Sequence, residues 1–264
     1  YNNMFIVKYD LNGNVLWAKN AAGGASSVSA DASGNVCITG SFSSSTTFGS
    51  ITLTTTSGNS DADMFIVKYD LNGNVLWAKS EGGTGNDYAL SITPDASGNV
   101  YIAGSFQSSS ISFGSIILMG TGYNNMFIVK YDLNGNVLWA KNAGGSSSVV
   151  PMSLATDANS NIYVLGDFKN SPLIFGSTTL TNTGGGSCIN GCSDLFLVKY
   201  DASGNVLWAK SAGGSYNDFS TSVAADAFGN IYVAGTFESY GIAFDATTLI
   251  NAGGYSLSSD IFLA

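Results

Sequence analysis

Short apolar runs alternate with polar turns along the whole chain. Val100–Phe106 and residues 126–131 are rich in β-branched and aromatic side chains, which favour strands. Residues 137–141 follow across a loop that contains Asn-Gly, a strong hairpin signal. A run of mostly small residues, 90–95, precedes them, and no segment shows a helical period. The pattern predicts an all-β protein.

The same order of segments recurs about every sixty residues. Met-Phe-Ile-Val-Lys-Tyr-Asp or a close variant places phenylalanine at Phe5, Phe65, Phe127 and Phe196. Asn-Val-Leu-Trp-Ala-Lys follows each copy, with Trp17, Trp77, Trp139 and Trp208. Variants of Asp-Ala-Ser-Gly-Asn-Val-Tyr begin at Asp31, Asp95, Asp157 and Asp226. Residues 1–21 are identical to residues 123–143, which indicates recent duplication.

Each repeat is predicted to supply four antiparallel strands, a to d, which make one blade of a β-propeller. The expected architecture is a single propeller domain over residues 1–264. Its repeats lie at about 28–90, 91–152 and 153–221, with 222–264 completed by 1–27. We expect a four-bladed ring in which N-terminal strands pair with C-terminal ones, because closure removes exposed edges. The alternative is an arc of a larger propeller, or an array that passes strands between molecules.

The predicted topology separates two kinds of loop. The a–b and c–d turns are short, nearly alike, and leave at one end of the blades. The b–c loops (43–62, 107–125, 169–194, 238–260) and d–a links (20–27, 80–90, 142–152, 211–221) leave at the other end and vary. Variable loops on a rigid scaffold commonly carry function. The candidate exposed aromatic residues there are Tyr88, Tyr123, Tyr216, Tyr240 and Tyr255.

Composition and charge narrow the range of partners and reactions. The formal net charge is −9, with no histidine, so nucleic-acid and anionic-membrane partners are disfavoured. No apolar run is long enough to span a bilayer. Without histidine there is no Ser-His-Asp or Cys-His arrangement. Paired carboxylates leave a carbohydrate-active enzyme as the third hypothesis, but no two acids stand out as acid and base.

The motif Asp-x-x-Gly-Asn-Val-Tyr, followed by Phe-x-x-Lys-Tyr-Asp and Trp-Ala-Lys, resembles the bacterial β-propeller repeat family called SBBP. The resemblance covers essentially the whole chain. It implies a large secreted or surface-attached protein and brings no catalytic motif. Because the chain opens with Tyr1, we interpret it as a mature or excised piece of something longer.

Three further groups have competing interpretations. Cys188 and Cys192 flank Asn-Gly in a short loop, which favours a disulfide over free thiols and suggests an oxidising compartment. Asp10, Asn12 and Asn14 partly resemble a calcium loop, but turn formation is the preferred interpretation and no cofactor is expected. The four tryptophans could stack on carbohydrate, although packing between blades is favoured.

These observations give two leading hypotheses. The first is a non-enzymatic extracellular or cell-surface scaffold for display, adhesion or assembly, with copies of itself among its partners. The second is a propeller that binds a glycan or protein through the variable loops.

Overall fold

The structure is a computed structural model that describes residues 2–56, 61–145, 148–170, 172–184, 188, 191–252 and 259–264. All regular elements in these ranges are β-strands. Accordingly, the described residues hold no helix of the length and apolarity needed to cross a membrane. The all-β prediction is confirmed.

Three complete sheets have the same strand order. In each of them the four strands lie in the predicted order a, b, c, d. The first sheet is β3 (Gly24–Ala30), β4 (Val36–Phe42), β7 (Asp63–Tyr69) and β8 (Val75–Glu81). The second is β9 (Asp87–Pro94), β10 (Val100–Phe106), β13 (Asn125–Tyr131) and β14 (Val137–Asn142). The third is β16 (Ser148–Thr156), β17 (Ile162–Lys169), β20 (Ser193–Tyr200) and β21 (Val206–Ala212). All pairings are antiparallel.

Two incomplete sheets flank these three. A hairpin of β1 (Asn3–Tyr9) and β2 (Val15–Ala22), equivalent to strands c and d, lies beside the first sheet. The last sheet contains β22 (Asp218–Ala225), β23 (Ile231–Phe237) and β26 (Asp260–Leu263), equivalent to a, b and c.

Each b–c connection also contains a small hairpin, so the prediction of four strands per repeat was incomplete. The hairpins are β5 (Ser45–Phe48) with β6 (Ile51–Thr54), β11 (Ser110–Phe113) with β12 (Ile116–Met119), β18 (Leu173–Phe175) with β19 (Thr178–Leu180), and β24 (Gly241–Phe244) with β25 (Thr247–Ile250). A two-residue strand, β15 (Gly144–Gly145), pairs with β18. The turn in the second hairpin needs Gly114 at φ 58°. Phe113 is buried against Phe127, with ring centroids 5.0 Å apart, so these hairpins cover strands c and d.

The core lies between successive sheets. Side chains on one face of the second sheet, such as Tyr101 and Ile128, pack on Leu154 and Val164 of the third. The a strands neighbour one another in the order β3, β9, β16, β22. Because strands b and c are apolar on both faces, each sheet buries its surface only between two neighbours.

The predicted closure by terminal strands is not what the structure shows. In the described residues β1 pairs with β2, and the open side of β23 is taken by β26. The arrangement follows the alternative, an open series of sheets. The physical reason is local: β26 belongs to the same repeat as β23, so pairing them closes a short loop, which has a smaller entropy cost than joining residues more than two hundred positions apart.

Candidate functional site

The ends of the sheets differ in chemistry. The turn end, formed by the a–b and c–d turns, repeats one aspartate-centred network. In the first turn Asp10 accepts hydrogen bonds from the N–H groups of Asn12 and Asn14, both at 2.8 Å, and from the Asn14 side chain at 2.9 Å. The bonds from Asn14 do most to lower the pKa of Asp10. The proposed calcium candidates therefore bond to one another in a turn. One oxygen of the Asp10 carboxylate accepts from two backbone N–H groups, and the other accepts from the Asn14 side chain.

Lysines of the c strands join this network across the sheet. Lys68 Nζ lies 3.0 Å from Asp31 Oδ2, with both side chains almost fully buried, and also donates to the carbonyl of Gly98 in the next sheet. The pairs Lys130–Asp95 and Lys199–Asp157 repeat the arrangement at 3.5 Å. Lys130 also donates to the carbonyl of Ala202 in the third sheet, so Lys68 and Lys130 link neighbouring sheets at the turn end.

The tryptophans of the d strands make a second repeated link. Trp77 Nε1 donates to the carbonyl of Leu133 in the next sheet at 2.9 Å. Its ring covers Gly135, where an added Cβ would lie 2.9 Å from the ring. Trp17 and Trp139 make the same bond to Leu71 and Ala202. These indoles are used in packing between sheets, the interpretation favoured by the sequence.

The loop end, where strands b end and strands c begin, holds buried carboxyl groups. Asp87 and Asp218 are fully buried, and burial is the main cause that raises the pKa of each to about 6. Nearby charges of Asp63 and Asp194 add to the respective increases. Ser108 and Ser239 donate hydroxyl hydrogen bonds to Asp87 and Asp218. The loop end thus contains two acid pairs. Asp63 and Asp87 meet between the first and second sheets, and Asp194 and Asp218 meet between the third and last sheets.

The predicted aromatic residues are only partly brought together. Tyr123, Tyr216 and Tyr240 are exposed at the loop end, whereas Tyr88 is half-buried in β9. The N–H of Tyr216 donates to Ser239 Oγ at 2.9 Å, so its link lies against the loop that carries Tyr240. Tyr255 lies outside the described residues. Two of the five candidates therefore share one surface.

The loop of the third repeat contains the disulfide favoured by the sequence. Cys188 is joined to Cys192, whose sulfur lies 3.3 Å from the carbonyl oxygen of Ser215. Cys37 is fully buried and free, and burial raises the pKa of its thiol to about 12. The disulfide thus ties the long b–c loop close to the link that leads to the last sheet.

Comparison with known proteins agrees with the blade order. A family model described as SBBP, β-propeller repeat, matches residues 207–236, which run from strand d of the third sheet into strand b of the last. Residues 207–236 thus match one SBBP β-propeller repeat. The motifs of this segment recur in the other sheets.

The curated relatives of this chain are much longer than it is. It is 30% identical over 215 residues to an uncharacterised WD repeat-containing protein of Acanthamoeba polyphaga mimivirus, covering 70% of this chain and 15% of that protein. It is 26% identical over 170 residues to the regulatory protein FlaEY of Caulobacter vibrioides, covering 63% of this chain and 17% of that protein. The chain thus spans less than a fifth of either relative. The likenesses indicate a repeat scaffold or a binding module.

A solved structure also matches. It is a crystal structure of a protein of unknown function from Bacteroides caccae, 12% identical, with a TM-score of 0.41, and the match covers 97% of this chain and 72% of that protein.

Sequence reasoning missed Asp63 and Asp194, the second members of the acid pairs. A signal was present in the repeats. Where strand c begins with Asp63 or Asp194, the next strand a begins with Asp87 or Asp218. Where strand c begins with Asn125, the corresponding residue is Val149. The two positions change together because they meet across the boundary between sheets.

The acid pairs at the loop end predict an unusual pH dependence of stability. A carboxyl with a folded pKa near 6 and an unfolded pKa near 3.8 binds its proton more tightly when folded. The contribution of Asp87 and Asp218 to the free energy of unfolding is therefore largest below about pH 4, and it is lost as the pH rises to about 6. Each tenfold change in proton affinity is worth about 1.4 kcal/mol, so the free energy of unfolding should be lower by a few kcal/mol at pH 7 than at pH 4.5.

Thermal unfolding at both pH values measures this difference. Asp87→Asn, which imitates the protonated form, should reduce the dependence on pH, and Asp10→Asn at an exposed turn should leave it unchanged over the same range. Equal slopes in wild type and Asp87→Asn would contradict the assignment.

Proposed function

We propose that this chain is a non-enzymatic scaffold segment that presents its loop end on an extracellular protein. The supporting observation is that its charged and aromatic side chains form bonds that hold the sheets and turns together. The lysines of strand c, most of the tryptophans and the turn aspartates bond one sheet to the next or bond within the turns. Side chains committed in this way stabilise a stack of blades and contribute stiffness to a repeat array.

The buried acids of the loop end support the same proposal. Asp87 accepts from the Ser108 hydroxyl and from the N–H of Gly83, and Asp218 accepts from Ser239. A glycosidase needs two carboxyl groups that face a sugar across a cleft. Asp87 and Asp218 are instead enclosed between sheets, where a sugar ring has no access.

A panel of polysaccharides and a glycan array tests the scaffold role. We expect neither turnover nor a signal that depends on loop-end side chains. Release of reducing sugar that is abolished by Asp87→Asn would overturn the proposal and support the enzyme hypothesis.

The extracellular location is supported by the disulfide, because such bonds persist in oxidising compartments. Alkylation of the chain taken from its source cells should leave Cys188 and Cys192 unmodified before reduction and modify both after it. Cys37, fully buried, is an internal control that should react only after unfolding. Alkylation of Cys188 without reduction would count against an extracellular location.

The second candidate function is binding of a glycan or protein at the loop end. It is favoured by the exposure of Tyr216 and Tyr240 at the loop end, where the N–H of Tyr216 contacts Ser239, since exposed aromatic rings stack well on ligands. If a ligand binds, Tyr216→Ala should weaken affinity about tenfold or more in calorimetry. Phe228→Ala, at an exposed aromatic residue of the turn end, is the matched control and should have no effect. Equal affinity in both variants would exclude this surface.

A further inference from the structure

The two acid pairs of the loop end are buried without a positive charge beside them. Asp63 and Asp87 meet at the first boundary, between the first and second sheets, and Asp194 and Asp218 meet at the third, between the third and last sheets. Each of the four side chains is at most 1% exposed. The ion pairs that the described residues form involve none of these acids. Two like charges buried together are costly, so each pair requires a proton or a cation.

Backbone contacts hold the two acids of the first boundary close together. The Asp87 N–H donates to the carbonyl of Ala62, the residue before Asp63, at 2.7 Å. Gly82 packs directly on the Asp63 carboxylate, so that an added Cβ on this glycine would collide with it. The next residue, Gly83, donates its N–H to Asp87 at 2.6 Å. Asp63 therefore lies against the same short d–a link that binds Asp87.

The third boundary repeats this arrangement. Gly213 packs on the Asp194 carboxylate. The hydroxyl of Ser239 donates to Asp218 at 2.9 Å, the distance found for the serine of the first boundary. The same link sequence, Gly-Gly-x-x-Asn-Asp, leads into strand a at both boundaries. The chain thus contains two copies of one acidic site.

One carboxylate oxygen in each copy has no hydrogen-bond donor. Asp63 Oδ2 accepts from the N–H of Thr56 at 2.6 Å, and Asp194 Oδ2 accepts from the N–H of Thr183 at the same distance. The other oxygen of each carboxylate, Oδ1, is buried and has no partner in the part of the chain that the structure describes. Because a buried carboxylate oxygen without a donor is destabilising, it is well suited to bind a cation.

The second boundary, between the second and third sheets, contains neutral residues at both positions. Asn125 replaces the first aspartate, and Val149 replaces its partner. Asn125 Oδ1 accepts from the N–H of Thr121 at 2.8 Å, as the aspartate Oδ2 does at the other boundaries. Asn125 Nδ2, which corresponds to the unpaired Oδ1, donates to the carbonyls of Phe106 at 3.3 Å and Gly122 at 3.0 Å. A donor thus takes the place of the unpaired oxygen where the negative charges are absent.

We propose that each acidic boundary binds one calcium ion, through Asp63 and Asp87 at the first boundary and through Asp194 and Asp218 at the third. The ion supplies the positive charge that both pairs lack, and it occupies the unpaired Oδ1 atoms. Because the two ligands of each pair come from different sheets, the ion joins one sheet to the next at the loop end.

The choice of calcium follows from the ligands. The side chains at both sites offer oxygen atoms only, which favours a hard cation. Calcium accepts irregular sets of carboxylate, hydroxyl and carbonyl oxygens, whereas magnesium requires a nearly ideal octahedron. In the described ranges no third acidic, histidine or cysteine side chain joins either pair. With two carboxylates we expect a Kd of about 0.1–1 mM, the range of extracellular calcium modules.

Equilibrium dialysis against calcium chloride tests the number of sites. At neutral pH the 264-residue chain should bind two calcium ions at saturation. Asp63→Asn should remove one of them, and the double variant Asp63→Asn with Asp194→Asn should remove both. Asp10→Asn is the matched control, because this aspartate lies in an exposed turn with both carboxylate oxygens bonded, and it should keep both ions.

Thermal unfolding distinguishes a bound ion from packing alone. In a chelator, Asp63→Asn should melt at the wild-type temperature or above it, since the new amide can donate as Asn125 does. In saturating calcium the wild type should melt several degrees higher than in the chelator, whereas the double variant should not change. The pH dependence predicted above belongs to the chain in a chelator, where protons alone neutralise these acids.

Four results would each overturn the proposal. They are the absence of bound calcium in dialysis, binding that Asp10→Asn abolishes, binding that the double variant retains, and an equal rise in melting temperature with sodium chloride at the same ionic strength. The last result would mean that salt screens surface charge. The proposed ions lie between the sheets, so these measurements do not depend on the function proposed above.

Discussion

Replacing Gly104 with valine should disrupt the second sheet and lower the free energy of unfolding by roughly 4 kcal/mol or more. Gly104 lies in strand b opposite the bulge of strand a. An added Cβ would lie 2.0 Å from the carbonyl oxygen of Tyr88 and 2.4 Å from the ring of Phe127. The Tyr88 carbonyl is fixed in the β9–β10 ladder, so the strands must separate to relieve the clash.

The same substitution at Gly144 is the matched control. Gly144 is also in a strand, but an added Cβ there would have no neighbour within 4 Å. Gly144→Val should therefore change stability by no more than about 0.5 kcal/mol. Urea denaturation followed by tryptophan fluorescence measures both variants. Similar midpoints for the two would show that strand b can move away from strand a, contrary to the observed packing.

Replacing Asp31 with alanine should cost roughly 3–5 kcal/mol. Lys68 loses its only ion-pair partner among the described residues and keeps a single bond to the Gly98 carbonyl, with its side chain almost fully buried. An unpaired buried ammonium group is far costlier than a lost surface pair. Desolvation raises the pKa of Asp31, but hydrogen bonds from Asn35 and Lys68 together outweigh it and lower the pKa, as expected for a carboxylate held as an ion.

Asp226→Ala separates the ion pair from the turn. Asp226 accepts the same hydrogen bonds from its own turn, from Phe228, Asn230 and the Asn230 side chain, and the part of the chain that the structure describes places no lysine beside it. Its loss should cost about 1 kcal/mol, the scale of net hydrogen-bond contributions. Both variants are compared by chemical denaturation. Equal losses would mean that the buried lysine contributes nothing beyond the turn.

The sequence was informative wherever chemistry is local. The Asn-Gly and Ser-Gly turns, each opened by an aspartate, form hydrogen bonds within five residues, and all of them are found as predicted. The disulfide between Cys188 and Cys192 bridges four positions. The order of strands a to d follows from short turns, since neighbours along the chain pair at little entropic cost.

The candidate site was less predictable because it forms between repeats. The half-burial of Tyr88 and the pairing of Asp63 with Asp87 depend on how one sheet meets the next. The hairpin of Phe113 was overlooked because its strands are only four residues long, and their partners are the distant c and d strands. Such contacts have no signature within a single run of residues.

The amino-acid sequence by itself determined the repeat, its strands, its turns and the apolar faces that require neighbours. Only the tertiary structure decided which neighbours those faces receive. Strands β1 and β26 carry similar side chains, yet β26 pairs with β23 whereas β1 pairs with β2. Because identical repeats carry identical local preferences, the choice between them depends on loop entropy and on the packing of whole sheets, which no single segment encodes.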